Sequence, residues 1–129
     1  MKFIQNSIFR YRGADRKIFK NKFNGYVHDH HVIPKQHKNH PVIKITGYDI
    51  NSNFNLFIMP TKKGIIKLNL DPETIFHHPH PKYNKYVKYE LNYMYLKYNN
   101  NNEMEYNLWL FVNYLKQNLR INKDNIPWY

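Results

Sequence analysis

The clearest periodicity lies in the C-terminal half. Tyr83, Val87, Leu91, Met94 and Tyr98 recur at spacings of four, four, three and four, which makes one apolar stripe on a helix. Pro81 suits the first helical position, where its fixed φ helps and its missing N–H costs nothing. Lys82, Lys85 and Lys88 fall off the stripe and give the helix a basic side. The pattern predicts a helix over residues 81–98. The Asn run at 99–102 breaks it. Met104, Leu108, Phe111, Val112, Leu115 and Leu119 then predict a second helix over 103–119. Asn102 with Glu105 three residues on resembles a capping box. Glu103 and Glu105 suit the positive end of the helix dipole, and Lys116 and Arg120 the negative end.

Upstream the pattern is shorter-ranged. Residues 26–34 read as a strand with polar residues embedded in it and a proline at its end. Residues 55–59 are a short apolar run stopped by Pro60, a second strand. Between them, 35–52 is a long connection with turn-prone Gly47, Asp49, Asn51 and Ser52, and 41–45 reads as a helical turn. Loops of this length in small domains usually carry function. Residues 65–70 alternate weakly and are expected as an extra strand. Residues 2–4 and 8–12 are expected as short strands, 14–23 as a helical turn or basic arm, and 125–129 as a tail that packs back or frays. No repeat or interdomain linker interrupts the 129 residues, so the expectation is one α+β domain spanning 1–129.

Charge adds the first functional constraint. Twenty Lys and Arg against nine Asp and Glu give a net charge of +11. Such a field attracts polyanions, and phosphate neutralisation with counterion release would supply affinity. Cysteine is absent, which removes disulfides, Cys-type zinc sites and thiol nucleophiles. A metal would have to use His, carboxylate, Asn or water. The first dozen residues lack the continuous apolar stretch of a signal peptide, and no run of about 18 apolar residues occurs. The expected location is intracellular, with no membrane partner.

Histidine is unevenly distributed. All eight lie at positions 28, 30, 31, 37, 40, 77, 78 and 80. On a strand, His30 and His31 point to opposite faces. One can bind a metal while its neighbour acts as a base, a division that suits hydrolysis because a metal-bound imidazole cannot take a proton. Helical spacing makes His80 and Asn84 candidates for a two-ligand clamp at the start of the 81–98 helix. If Pro81 is the first helical residue, His80 is the cap and its direction is not fixed by the helix.

Taken in order, His30-His31-Val32-Ile33-Pro34, His40-Pro41, Gly47-Tyr48-Asp49-Ile50-Asn51, Asn55-Leu56, Pro60 and His80-Pro81-Lys82-Tyr83-Asn84 resemble the AHH-type nucleases. These belong to the HNH/endonuclease VII superfamily, also called His-Me finger or ββα-metal nucleases. The resemblance covers about residues 28–91. It implies a ββα-metal core at about 26–98, with an added C-terminal helix and a basic N-terminal arm. It also implies His30 as metal ligand, His31 as general base, and Asn55 as the residue that holds His31 through backbone hydrogen bonds. His80 would complete the metal site with Asn84 or His77, and His78 remains a further choice. One divalent ion is implied, Mg²⁺ or Mn²⁺, with Zn²⁺ as a tight binder. Two departures stand out: Asp29 replaces the usual small residue before the dyad, and His77 and His80 are spaced by three rather than four.

Endonuclease action on nucleic acid, with DNA favoured over RNA, is the reading these features carry. The alternative is a non-catalytic nucleic-acid-binding module on the same scaffold. A third is a zinc-stabilised interaction domain. A binding module has no need of a base beside a ligand, and a structural zinc site has no need of Asn55. The Tyr- and Leu-rich C-terminal helices are compatible with a homodimer.

Overall fold

The computed structural model of the protein describes residues 13–121 and 123–128. The strands expected at 2–4 and 8–12, and the arm up to residue 12, lie outside them. The described elements are α1 (Gly13–Lys22), β1 (Val27–His31), α2 (Pro41–Thr46), β2 (Leu56–Pro60), α3 (Lys62–Lys67), α4 (Pro81–Lys97) and α5 (Asn101–Ile121). Short 3₁₀ turns occur at Lys35–His37, Asn53–Asn55 and Lys123–Asn125. Helices combined with a small two-stranded sheet make an α+β protein. The chain divides into two compact units.

The first unit joins Met1–His30 to Leu56–Pro79. Residues 14–23, expected as a helical turn or arm, are largely helix α1. Its C-terminal Lys20 and Lys22 suit the negative end of the helix dipole. β2 pairs with β1, and Phe57, Ile58, Met59 and Pro60 are all buried. A strand covered on both faces reads as a continuous apolar run rather than an alternation, which is what the sequence of β2 displays. α3 starts at Thr61, whose hydroxyl oxygen accepts the Gly64 N–H at 3.0 Å. Gly64 itself is required there, because a Cβ would overlap the Tyr26 carbonyl oxygen.

The extra strand expected at 65–70 is not formed. Residues 65–67 end α3, and Asn69 turns the chain with φ of 53°. The weak alternation misled because Thr61 caps a helix ahead of it, while Ile66 is 83% exposed and belongs to no buried face.

The second unit joins His31–Asn55 to His80–Tyr129. α2 is capped by His40, whose Nδ1 accepts the Val42 N–H at 3.1 Å. Pro41 occupies the first turn, and Gly47 closes the helix in the left-handed region at φ 67°, the usual glycine C-cap. α4 buries Tyr83, Val87, Leu91 and Met94, the predicted stripe, and ends one residue short of the expectation. α5 begins earlier than expected. Asn100 Oδ1 accepts the Glu103 N–H at 2.8 Å, so Asn100 is the capping side chain and the Asn/Glu pairing shifts from 102/105 to 100/103. α2, α4 and α5 pack together. Each Leu or Val buried there contributes about 1.5–3 kcal/mol. Lys116 is buried, with Nζ 4.1 Å from the centre of the Phe54 ring, a cation–π contact. The C-terminal tail packs back: Ile126 and Trp128 are buried, and the Trp128 ring lies 5.2 Å from that of Tyr83.

His37 supplies a pH dependence in this unit. It is buried, and its Nε2 lies 2.9 Å from the Asn84 carbonyl oxygen. Burial lowers its pKa from 6.5, the carbonyl partly offsets this, and nearby His40 and Lys88 add to the lowering. The folded state therefore binds fewer protons here than the unfolded chain. Stability is fully present above the unfolded pKa and falls as pH drops through 6.5 toward the folded value. Denaturant midpoints measured from about pH 7 to about pH 5 should fall less in His37→Gln than in wild type. Parallel curves would assign the slope to other groups.

Candidate metal centre

The sequence of β1 places three histidines and one aspartate within four positions, and each meets a different environment. His28 is exposed, Asp29 and His31 are half-buried, and His30 is 1% exposed. Asp29 Oδ2 accepts from Arg16 Nη1 at 2.6 Å and from Lys20 Nζ at 2.9 Å. The spacing of four puts both cations on one face of α1. Burial pushes the Asp29 carboxyl up, but the hydrogen bonds from Lys20 and Arg16 and their charges outweigh it and hold its pKa below the usual value. Neither cation was singled out from sequence; a basic pair spaced by four next to a lone strand carboxylate was the available signal.

His77 is set by backbone. Its N–H donates to the Pro60 carbonyl at the end of β2, at 2.8 Å. Its Nδ1 lies 3.3 Å from His28 Nδ1, so one ring donates to the other. The His77 ring centroid is 5.7 Å from that of His30. His78, next along, turns its ring toward Phe76 at 5.3 Å.

His80 is the N-cap residue of α4 and makes no capping bond with its side chain. Its Nδ1 lies 2.9 Å from Asn84 Oδ1. The amide oxygen can only accept, so the imidazole Nδ1 is the donor. Asn84 Nδ2 in turn donates to Gln36 Oε1 at 3.3 Å. Trp128 stacks on the His80 ring at 4.7 Å and 29°. The tail expected only to pack back or fray thus reaches a candidate site residue. An aromatic following a proline at the C-terminus was its one sequence signal.

His30 and His77, both of the first unit, each offer a ring nitrogen, and these atoms lie within 4.8 Å of one another. Nδ1 of His77 and Nδ1 of His80 are thus engaged by His28 and Asn84. Second partners on the remote ring nitrogen are the usual arrangement for ligating histidines. Of the other histidines, His37 and His40 serve the loop and α2: His40 Nε2 lies 2.7 Å from Asn92 Oδ1.

Asn55 is fully buried, at 0% exposure. Its Oδ1 accepts the Ile33 N–H at 2.8 Å and the Tyr48 hydroxyl at 2.7 Å. Its Nδ2 donates to the Ile33 carbonyl at 3.1 Å and to the Ile50 carbonyl at 2.7 Å. A second backbone bond, Val32 N–H to the Asn55 carbonyl at 2.9 Å, reinforces the grip. One side chain thus ties the residues just beyond His31 to the end of the long loop. The Tyr83 hydroxyl donates to the Val32 carbonyl at 2.6 Å. Burial pushes the Tyr48 and Tyr83 hydroxyls well up, so both remain protonated donors.

A family model described as a nuclease family of the HNH/ENDO VII superfamily with conserved AHH matches residues 20–117. The chain belongs to this family. Its substrate class is therefore nucleic acid. No curated protein and no solved structure matches the chain. The matched span includes Asp29-His30-His31. Arg16 and Lys20 meet the Asp29 carboxylate within that span. No helix of the described residues is long and apolar enough to cross a membrane.

Proposed function

We propose that the protein is a metal-dependent endonuclease that hydrolyses nucleic-acid phosphodiesters, with His31 as general base and one divalent ion held by His30, His77 and His80. In this reading β1, β2 and α4 are the elements of a ββα-metal core. The observation that carries it is the approach of the His30 and His77 imidazole nitrogens to within 4.8 Å in a chain whose His30 is followed directly by a second, half-buried histidine.

The donor set fits a metal. Three imidazoles suit Mn²⁺, Zn²⁺ or Ni²⁺ better than Mg²⁺, which favours oxygen ligands. Mn²⁺ is therefore the preferred activator, Mg²⁺ a weaker one, and Zn²⁺ a tight binder. When bound, the ion supplies positive charge to a phosphate oxygen and the leaving 3′ oxygen as charge builds on them.

The remaining work belongs to the chain. His31 takes a proton from the attacking water. Asn55 fixes the backbone two residues beyond it, so the base keeps one position. His28 and Asn84 hold the remote nitrogens of His77 and His80, and Trp128 braces the His80 ring from its face. Asn84 acts in this scheme as the partner of His80. Exposed Lys35, Lys38, Lys62, Lys63, Lys82, Lys85 and Lys88 are the cations for backbone phosphates. Duplex DNA is the first substrate to test, with RNA beside it.

The test is cleavage of supercoiled plasmid and of a labelled RNA under Mn²⁺, Mg²⁺, Zn²⁺ or EDTA. Cutting that requires the ion, and that weakens in His80→Ala with partial recovery at high Mn²⁺, is expected. Salt-sensitive binding with no cleavage under any ion would leave the binding-module alternative. Each phosphate contact should steepen the salt dependence by about 0.9 in log–log slope.

A further inference from the structure

A cleft of about 470 Å³ opens in the second unit between the end of α2 with its following loop and the first turns of α5. Its walls include Tyr48, Phe54, Tyr106 and Trp109, and its polar edge carries Asn102 and Glu105. The volume lies within the roughly 300–1,000 Å³ typical of small-ligand sites. Two of the aromatics are unusually open for their size: Tyr106 is 62% exposed and Trp109 is 52% exposed.

We propose that this cleft is a nucleobase subsite, which takes one unpaired, amino-bearing base of the nucleic-acid substrate, guanine best. The proposal rests on the nuclease reading and adds to it the part of the substrate recognised away from the phosphate.

The chemistry of the lining selects the occupant. No Lys, Arg or His lines the cleft, and the Glu105 carboxylate repels phosphate, so the occupant is not the anionic backbone. Half-exposed indole and phenol faces are stacking surfaces for a flat aromatic ligand, and any base has a π-face to offer them. An ionised carboxylate only accepts hydrogen bonds. It therefore selects bases with N–H donors on the pairing edge. Guanine presents two adjacent donors there, N1–H and N2–H, which match the two oxygens of Glu105. Cytosine and adenine present an amino group, while uracil and thymine present only a single imide N–H. The edge that Glu105 would read is occupied in a duplex, so the base must be splayed out.

The cleft is also joined to the residues beyond His31. Tyr48, one of its walls, donates its hydroxyl to Asn55 Oδ1, and the same oxygen accepts the Ile33 N–H. A base seated against Tyr48 bears on the clasp that fixes the chain two residues past the dyad.

Trp109 reports on the site directly, because the other tryptophan, Trp128, is 2% exposed. Fluorescence of the full chain is titrated with GMP, CMP and UMP in EDTA, where no cleavage can occur. Saturable quenching, tightest for GMP, is expected. Glu105→Gln should lower the GMP-over-UMP preference about tenfold, with UMP affinity little changed. Trp109→Ala should weaken an unpaired G-containing oligonucleotide about 5- to 100-fold by anisotropy and leave duplex binding unchanged, and Trp109→Phe should retain most of the affinity. Absence of quenching by all three nucleotides, or equal losses on duplex and unpaired oligonucleotide, would overturn the subsite. So would a Trp109→Ala protein that sediments as a monomer where wild type is a dimer, since the face would then cover a second copy. Quenching with the expected order in a protein that cuts nothing would uphold the subsite while removing the endonuclease reading.

Discussion

His31→Ala should reduce phosphodiester cleavage by about 10²–10⁴-fold, the usual cost of losing a general base, while leaving ion and nucleic-acid affinity close to wild type. The reasoning follows from where the two neighbours sit. His30 is 1% exposed and its ring centroid lies 5.7 Å from that of His77, whereas His31 is half-buried. Removing His31 therefore takes away a proton acceptor without subtracting a donor from the ion. His80→Ala should behave in the opposite sense, with weaker ion binding and activity that recovers in part as Mn²⁺ is raised. Ion affinity by calorimetry, nucleic-acid affinity by anisotropy and single-turnover cleavage, measured on both variants, separate the roles. Wild-type cutting by His31→Ala would remove it as the base. Loss of the ion in that variant would instead exchange the roles of His30 and His31.

How much of this was legible in the sequence depended on the range of the interactions involved. α4 and α5 were readable because their apolar stripes repeat over many residues, so the burial of Tyr83, Val87, Leu91 and Met94 follows from period alone. β2 was readable for a related reason: a run buried on both faces needs no partner to be recognised. α3 was not. A six-residue helix carries too little periodicity to compete with a weak alternation, and it is set by a Thr61 cap and by the closeness of Gly64 to Tyr26, which is not visible along the chain. At the candidate site, the histidines and Asn55 stand out as candidates by residue type and order. Their partners do not. Arg16 and Lys20 reach Asp29 from helix α1, Gln36 reaches Asn84 from the loop, and Trp128 reaches His80 from the tail. Each is a contact between separate elements made by a residue type with many other uses.

Asn55→Ala is the variant expected to change stability and turnover together. Asn55 is fully buried and makes four side-chain hydrogen bonds. Alanine would leave the Ile33 N–H and carbonyl, the Ile50 carbonyl and the Tyr48 hydroxyl without that partner. An unsatisfied buried polar group costs about 1–3 kcal/mol. Val32 keeps its bond to the Asn55 carbonyl, and some relaxation will admit water, so a total loss of about 3–5 kcal/mol is expected. Asn55→Asp separates the two halves of the clasp. It can still accept from Ile33 and Tyr48, but it cannot donate to the two carbonyls and sets a charge against them, so it should be destabilised as well. The decisive readout is turnover at a temperature where each variant remains fully folded by circular dichroism. If Asn55 positions the base, kcat falls there by one to two orders of magnitude, roughly the cost of displacing a catalytic group by about 1 Å, while KM changes little. A variant that loses stability but keeps wild-type kcat when folded would make Asn55 a structural clasp alone. A variant with an unchanged denaturant midpoint would show that these four bonds do not hold the loop to the residues that follow His31.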